Sequence, residues 1–147
     1  MIHGYYRHPT IHDDRIVFVS EDDLWEVGTD GGRARRLTAN PGPSSYPVYS
    51  PDGTRIAFTG RDEGVHGVVS QPTAWDGDDI IYSSSAEWPF VTDSRLWRVP
   101  ADGGPAKLLP WGSARSLARQ PDGAGVVLGR HTLDPARWKR YRGGRAG

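Results

Sequence analysis

The chain has 147 residues, with 18 basic and 18 acidic side chains and no cysteine. That length supports one domain with a real core, while the zero net charge supplies no field toward nucleic acid or an anionic membrane. A disulfide framework and a thiolate metal site are excluded.

Nineteen Gly and twelve Pro make up roughly a fifth of the residues, above the usual ~12%. Such a chain favours many turns and short strands over long helices. The opening MIHGYYRHPTIHDDR has no apolar run of signal-peptide length. Nowhere do the ~20 consecutive apolar residues of a membrane helix occur. The expected location is the cytoplasm, without a membrane partner.

The first β-type run is Ile16-Val17-Phe18-Val19, after a turn at His12-Asp13-Asp14. Asp23-Leu24-Trp25-Glu26-Val27 follows, then a turn at Thr29-Asp30-Gly31-Gly32, then Ala34–Thr38. Next come Tyr46–Ser50, the turn Pro51-Asp52-Gly53, and Arg55–Thr59. Gly64–Ser70 then runs almost at once into Pro72-Thr73-Ala74-Trp75. Beyond it lie Asp76-Gly77-Asp78, Ile80-Ile81-Tyr82, Ser94–Val99, Ala101-Asp102-Gly103-Gly104 and Ala106–Leu109. The last pair is Pro121-Asp122-Gly123 and Val126-Val127-Leu128. Asp-Gly suits tight hairpins, because Gly takes φ > 0 freely while Asp bonds the local backbone. The expected structural turn residues are therefore Asp30, Gly31, Gly32, Asp52, Gly53, Asp102, Gly103, Gly104, Asp122 and Gly123.

Overlaying the copies gives a unit of four strands. The first runs into the turn, the second is the apolar run, the third carries Leu-Trp, and the fourth follows Asp-Gly-Gly. Four short strands at a period near 40–45 residues mark a β-propeller blade. The second strands, being continuous apolar runs, are expected to be buried on both faces. A plain β-sandwich is the competing reading, but Leu-Trp and Asp-Gly-Gly recur at matching offsets. Ile16 to Ile56 is 40 residues, Ile56 to Ile80 only 24, and Ile80 to Val126 is 46. The second repeat is therefore short by 16 to 22 residues, about what two strands and their turns need. The fold expected is all-β: a partial propeller of about two complete four-stranded blades and two partial blades of DG (WD-like) repeats. As a single domain over 1–147, it places blade 1 at about 8–40, a shortened blade 2 at 44–70, blade 3 at 72–110, and a partial blade 4 with a basic tail at 113–147. Arg61 to Gln71 should connect blade 2 directly to blade 3.

GYYRHPTIHDDRIVFVSEDDLWEV, YSPDGTRIAFTGRDEG, SRLWRVPADGGPAKLLP and the closing LGRHTLDPARWKRYRGGRAG together resemble the N-terminal propeller of tricorn-type proteases. The DG repeats alone are shared with TolB-like and prolyl-oligopeptidase propellers; the first and last segments are more specific. The resemblance implies a cytoplasmic serine peptidase that degrades peptides, assembles as a homo-oligomer, and channels peptides through its propellers. Its catalytic Ser and His are expected outside these residues, so none is carried over.

A direct search for chemistry agrees with that. Trp111-Gly112-Ser113-Ala114-Arg115 lacks the second Gly of a nucleophile elbow. Ser83-Ser84-Ser85 has no nearby His and reads as a polar strand end. No P-loop, G-x-G-x-x-G or H-E-x-x-H occurs. His8 and His12 would sit about 13 Å apart on a strand, too far to share a metal. Asp13-Asp14 and Glu21-Asp22-Asp23 read as turns and solvated edges rather than a calcium loop. From Arg130 onward six basic residues interleave with Trp138 and Tyr141. That pattern fits a single-stranded nucleic acid patch, or, as favoured here, arginines meeting acids of other blades. No catalytic residue, cofactor or metal is expected. The functional expectation is a non-catalytic propeller piece gating or docking peptides, with a TolB-like module binding a protein partner as the alternative.

Overall fold

Hairpin turns divide the chain into short strands, and the strands pair with their neighbours in sequence. The computed structural model describes residues 5–39, 42–60, 70–85, 94–120 and 123–130. Blade 1 holds β1 (Arg7–His12), β2 (Arg15–Ser20), β3 (Asp23–Gly28) and β4 (Gly31–Arg36). Blade 2 holds β5 (Ser44–Tyr49) and β6 (Ile56–Gly60). Blade 3 holds β7 (Ser70–Asp76), β8 (Asp79–Ser84), β9 (Arg95–Pro100) and β10 (Lys107–Ser113). Blade 4 holds β11 (Ser116–Arg119) and β12 (Val126–Gly129). Among the described residues each blade is one antiparallel meander, with four strands in blades 1 and 3 and two in blades 2 and 4. The fold is thus the all-β partial propeller expected, with no helix among the described residues.

The repeat is visible in individual bonds. In blade 2 the Ser50 amide donates to the Arg55 carbonyl and the Gly53 amide to the Ser50 carbonyl, both at 2.9 Å. In blade 4 the Gln120 amide donates to Gly125 at 3.0 Å and Gly123 to Gln120 at 2.9 Å. Two turns of the same sequence type, 70 residues apart in the chain, close in the same way. The β2–β3 hairpin is closed by Glu21 and Asp22, both at positive φ (50° and 65°), the pair of conformations that matches the twist of the flanking strands.

Burial departs from the expectation for the second strands. Val17 and Val19 are fully buried and Ile81 is 1% exposed, but the alternate residues of β2 and β8 are mostly half-buried. Side chains alternate across a strand. One face therefore packs on the following blade more tightly than the other packs on the preceding one, and blade 1 has no described blade before it. The core is accordingly two clusters set at blade junctions. Val17, Val19, Leu24 and Tyr49 form the first, with Ile56 and Phe58 against it. Ile81, Leu96, Ala114 and Leu117 form the second, with Val126 and Leu128 against it. The leucine of each Leu-Trp pair, Leu24 and Leu96, is at most 1% exposed.

Asp23 corrects the reading of Glu21-Asp22-Asp23 as a solvated edge. It is buried, pairs with Arg36 and accepts the Thr38 hydroxyl at 2.9 Å. A buried carboxylate is tolerable because both partners lie on the adjoining strand and its exit. Strand β7 already begins at Ser70, so Ser70 and Gln71 are not connector. Residues 61–69, and with them most of the expected connection and the Val65–Ser70 segment, lie outside the described residues. So do Pro121, Asp122 and the basic tail from 131 onward.

Candidate functional site

Contacts between blades concentrate on the first strands: β1 lies beside β5, β5 beside β7, and β7 beside β11. These four strands form the inner wall of the arc. The turns that end them carry the junction chemistry.

At the first junction, Arg15 opens β2 and reaches into blade 2. Its Nη2 donates to the Gly53 carbonyl at 3.0 Å, and its guanidinium lies 5.6 Å from the Tyr49 ring centroid. His12 Nε2 donates to the Pro51 carbonyl at 3.0 Å. The Tyr49 hydroxyl donates to Glu26 at 3.1 Å, and Arg35 grips the same carboxylate at 2.7 Å. The Arg35 hydrogen bond holds the Glu26 carboxyl below its usual range. Burial, reinforced by the Glu26 carboxylate, pushes the Tyr49 hydroxyl up to about 12.

The second junction uses the same device. Arg55, directly before β6, lies 5.0 Å from the Trp75 ring centroid and pairs with Asp78. Trp75 Nε1 donates to the Val48 carbonyl at 3.1 Å. A cleft of about 260 Å³ opens between blades 2 and 3, with Phe58, Pro72, Ile80 and Tyr82 in its lining. At the third junction the charges are reversed. Asp76 of blade 3 receives Arg119 of blade 4 at 2.5 Å and Arg98 of its own blade at 3.3 Å.

Arg15-Ile16 and Arg55-Ile56 stand at the same place in two repeats, yet the sequence reading passed over both arginines. The recurrence of Arg directly before the apolar run was the signal available.

The turn residues fall as follows. Gly53, in the Pro51-Asp52-Gly53 turn, and Gly123 sit at φ 66° and 72°. Asp52 accepts from the Ser50 hydroxyl at 2.6 Å and the Thr54 hydroxyl at 2.7 Å. These bonds, Ser50 first, hold its carboxyl well below the usual range. Asp30 lies in the β3–β4 turn, while Gly31 and Gly32, at φ 86° and 106°, already open β4. In blade 3 Asp102, Gly103 and Gly104 all lie between β9 and β10, the glycines at φ 102° and 132°. Asp122 lies outside the described residues; the structure does not gather the others into one site but spreads them over separate turns.

His8 and His12 both lie on β1 and both meet blade 2. The His8 ring is 4.0 Å from Tyr46, and the His12 ring is 5.7 Å from Tyr49. Among the described residues neither ring bonds a hydroxyl. Burial, then Arg7, lowers the His8 pKa. Ser83, Ser84 and Ser85 are buried, and the Ser84 hydroxyl is 3.1 Å from that of Ser70. Among the described residues no group of three or more His, Asp or Glu is placed to hold a metal, and no helix is long and apolar enough to cross a membrane. Arg130, the one described residue of the basic segment, donates to the Ser113 carbonyl at 3.1 Å. What the arrangement offers is a polar wall with aromatic and guanidinium groups at its seams.

Residues 3–74 match the family described as the tricorn protease N-terminal beta propeller domain. Tricorn protease homolog 1 of Streptomyces coelicolor is 34% identical over 167 residues, covering 98% of this chain and 15% of its own length. The Tricorn protease of Thermoplasma acidophilum is 31% identical, over 95% of this chain and 16% of its own. The chain thus spans about 15% of the length of these relatives. A putative Tricorn-like protease N-terminal subunit of Sulfurisphaera tokodaii is 28% identical over 98% of this chain, which covers 84% of that protein. Among solved structures, that of the tricorn protease superposes with a TM-score of 0.66 over 80% of this chain and 14% of that one, at 24% identity. A putative TolB from Agrobacterium tumefaciens gives 0.51 over 78% of this chain and 52% of that one, at 17% identity; at these identities both show the fold alone. In sequence and in fold, the chain is similar to the N-terminal β-propeller of tricorn-type proteases.

Proposed function

We propose that this chain is a non-catalytic propeller piece of a tricorn-like serine peptidase, gating or docking peptides for a catalytic region outside these residues. The observation that carries this reading is the inner wall of β1, β5, β7 and β11, which combines a backbone frame with polar and aromatic side chains. A wall of this kind can engage peptide backbone and side chains without performing chemistry on them. The family match supports it. So does the Sulfurisphaera tokodaii relative, whose name describes an N-terminal subunit and which is mostly covered by this chain. On this reading residues 1–147 act as one partial propeller domain in the cytoplasm. Their partners are peptides and the remaining domains of a larger, homo-oligomeric peptidase.

The second reading is a TolB-like module that binds a folded protein partner. It is favoured by a Protein TolB homolog of Chlorobium luteolum, 36% identical over 63 residues but covering only 40% of this chain and 14% of its own length. Fluorescence anisotropy with labelled unstructured peptides separates the two. Saturable binding without cleavage is the expected result. Absence of binding at millimolar peptide would reject the docking role and leave the protein-partner reading.

A further inference from the structure

The chain contains five Asp-Gly pairs, and four of them have both residues described: Asp30-Gly31, Asp52-Gly53, Asp76-Gly77 and Asp102-Gly103. In an Asp-Gly pair the backbone amide attacks the side-chain carboxyl readily, because glycine puts no Cβ in the way and leaves the backbone free to turn. The four pairs therefore start with the same intrinsic chemistry. What each carboxyl bonds, and how much room its glycine has, separates them.

Two pairs are tied down. The Asp52 carboxylate accepts the Ser50 hydroxyl at 2.6 Å, the Thr54 hydroxyl at 2.7 Å and the Thr54 amide at 3.1 Å. Gly53 is buried, with the His12 ring where a Cβ would stand. Asp76 is half-buried, and its two oxygens are held by Arg119 at 2.5 Å and Arg98 at 3.3 Å. The other two pairs are open. Asp30 and Asp102 stand at the same place in blades 1 and 3, between the third and fourth strands. Both are exposed, and among the described residues neither carboxylate has a hydrogen-bond or ion-pair partner. Nothing lies within 4 Å of a Cβ built on Gly31 or Gly103. Each is followed by a second glycine at positive φ, Gly32 or Gly104. The amides do not draw the distinction, since Gly53 donates to the Ser50 carbonyl at 2.9 Å and Gly103 to the Pro100 carbonyl at 3.1 Å. The carboxyls do.

We infer that Asp30 and Asp102 are the sites at which this chain isomerises to isoaspartate, while the bonds to Asp52 and Asp76 protect the other two turns. The nitrogen of Gly31 or Gly103 attacks Cγ of the preceding aspartic acid. A C–N bond forms, the carboxyl hydroxyl leaves as water with the amide proton, and a succinimide ring results. Water then opens the ring at either carbonyl, restoring aspartate or routing the main chain through the side chain. Atoms and charge balance, and water is the only co-reactant. The hydroxyl can leave only from a protonated carboxyl, and the bonds to Asp52 hold that group well below the usual range. Isoaspartate adds one carbon to the main chain, so it disturbs the pairing of Gly28 with Gly31 and the matching end of β9–β10. The inference is local to these turns and does not rest on peptide docking at the inner wall.

The test is incubation of the full chain at neutral pH, one sample folded and one in urea. Peptide mapping by mass spectrometry and labelling by an isoaspartyl methyltransferase read the product. In urea all four pairs should accumulate isoaspartate at comparable rates. In the folded chain Asp52 and Asp76 should lag Asp30 and Asp102 by about tenfold or more, because each must first give up at least two bonds. The double variant Ser50→Ala/Thr54→Val should raise the Asp52 rate toward that of Asp102, with circular dichroism to verify the fold. If it unfolds, each single variant is read in its place. Asp30→Glu with Asp102→Glu should bring labelling of the folded chain close to background. Equal rates at all four pairs in the folded chain overturn the inference. So does a folded chain without isoaspartate at Asp30 and Asp102, or an Asp52 rate unchanged in folded Ser50 and Thr54 variants.

Discussion

Gly53 is the position where local backbone and blade docking can be separated by measurement. Its φ of 66° is in the left-handed region, which costs a residue with a Cβ about 1–2 kcal/mol. A Cβ there would also stand 2.4 Å from His12 Nδ1 and 2.5 Å from its Cε1, so the ring must move. Moving it breaks the His12 bond to the Pro51 carbonyl, worth about 0.5–1.5 kcal/mol. Gly53→Ala should therefore cost about 1.5–3.5 kcal/mol in all. Gly77 serves as the control: its φ is 62°, but nothing lies within 4 Å of its added Cβ. Gly77→Ala should show only the backbone cost of about 1–2 kcal/mol. Urea unfolding followed by tryptophan fluorescence measures both. In a His12→Ala background the penalty at Gly53 should fall to that at Gly77, leaving a coupling of about 1 kcal/mol. Equal costs at the two glycines, or an unchanged Gly53 penalty without His12, would refute the docking of this turn against β1.

Three further outcomes are expected. Tyr49 titrates near 12 in the folded chain and near 10 when unfolded. The unfolded state therefore binds fewer protons between those values, so the stability contribution is complete below pH 10 and lost as pH rises toward 12. Tyr49→Phe should flatten that decline in unfolding curves taken against pH; a decline of unchanged slope would count against the Tyr49–Glu26 contact. Hydrogen exchange should be faster at Ile56–Thr59 than at Ile16–Val19, because β2 is paired on both edges and β6, among the described residues, only by β5. Equal protection would mean that β6 has a second partner. Finally, the purified chain should not hydrolyse fluorogenic peptides. Activity that survives repurification and is blocked by a serine-directed inhibitor would show that a nucleophile exists here after all.

Local interactions made much of this fold readable in one dimension. A turn such as Pro51-Asp52-Gly53 pairs strands only a few residues apart, so apolar runs and DG turns suffice to define the hairpins. Residues that act across blades were not readable in that way. The carboxylate of Asp23 looks like one more acid in a turn until Arg36 and Thr38 close over it. His8 and His12 are too far apart along a strand to share a metal, but only the fold shows that they meet Tyr46 and the Pro51 carbonyl of the next blade. Arg15 and Arg55 look like solvated charges until each is seen lying on the aromatic ring of the next blade. Sequence periodicity determined which residues alternate along a strand, because the β repeat is set by the backbone alone. Which face becomes core was decided only by the presence of a neighbouring blade: Val17 and Val127 hold the same place in the repeat, and one is buried while the other is exposed.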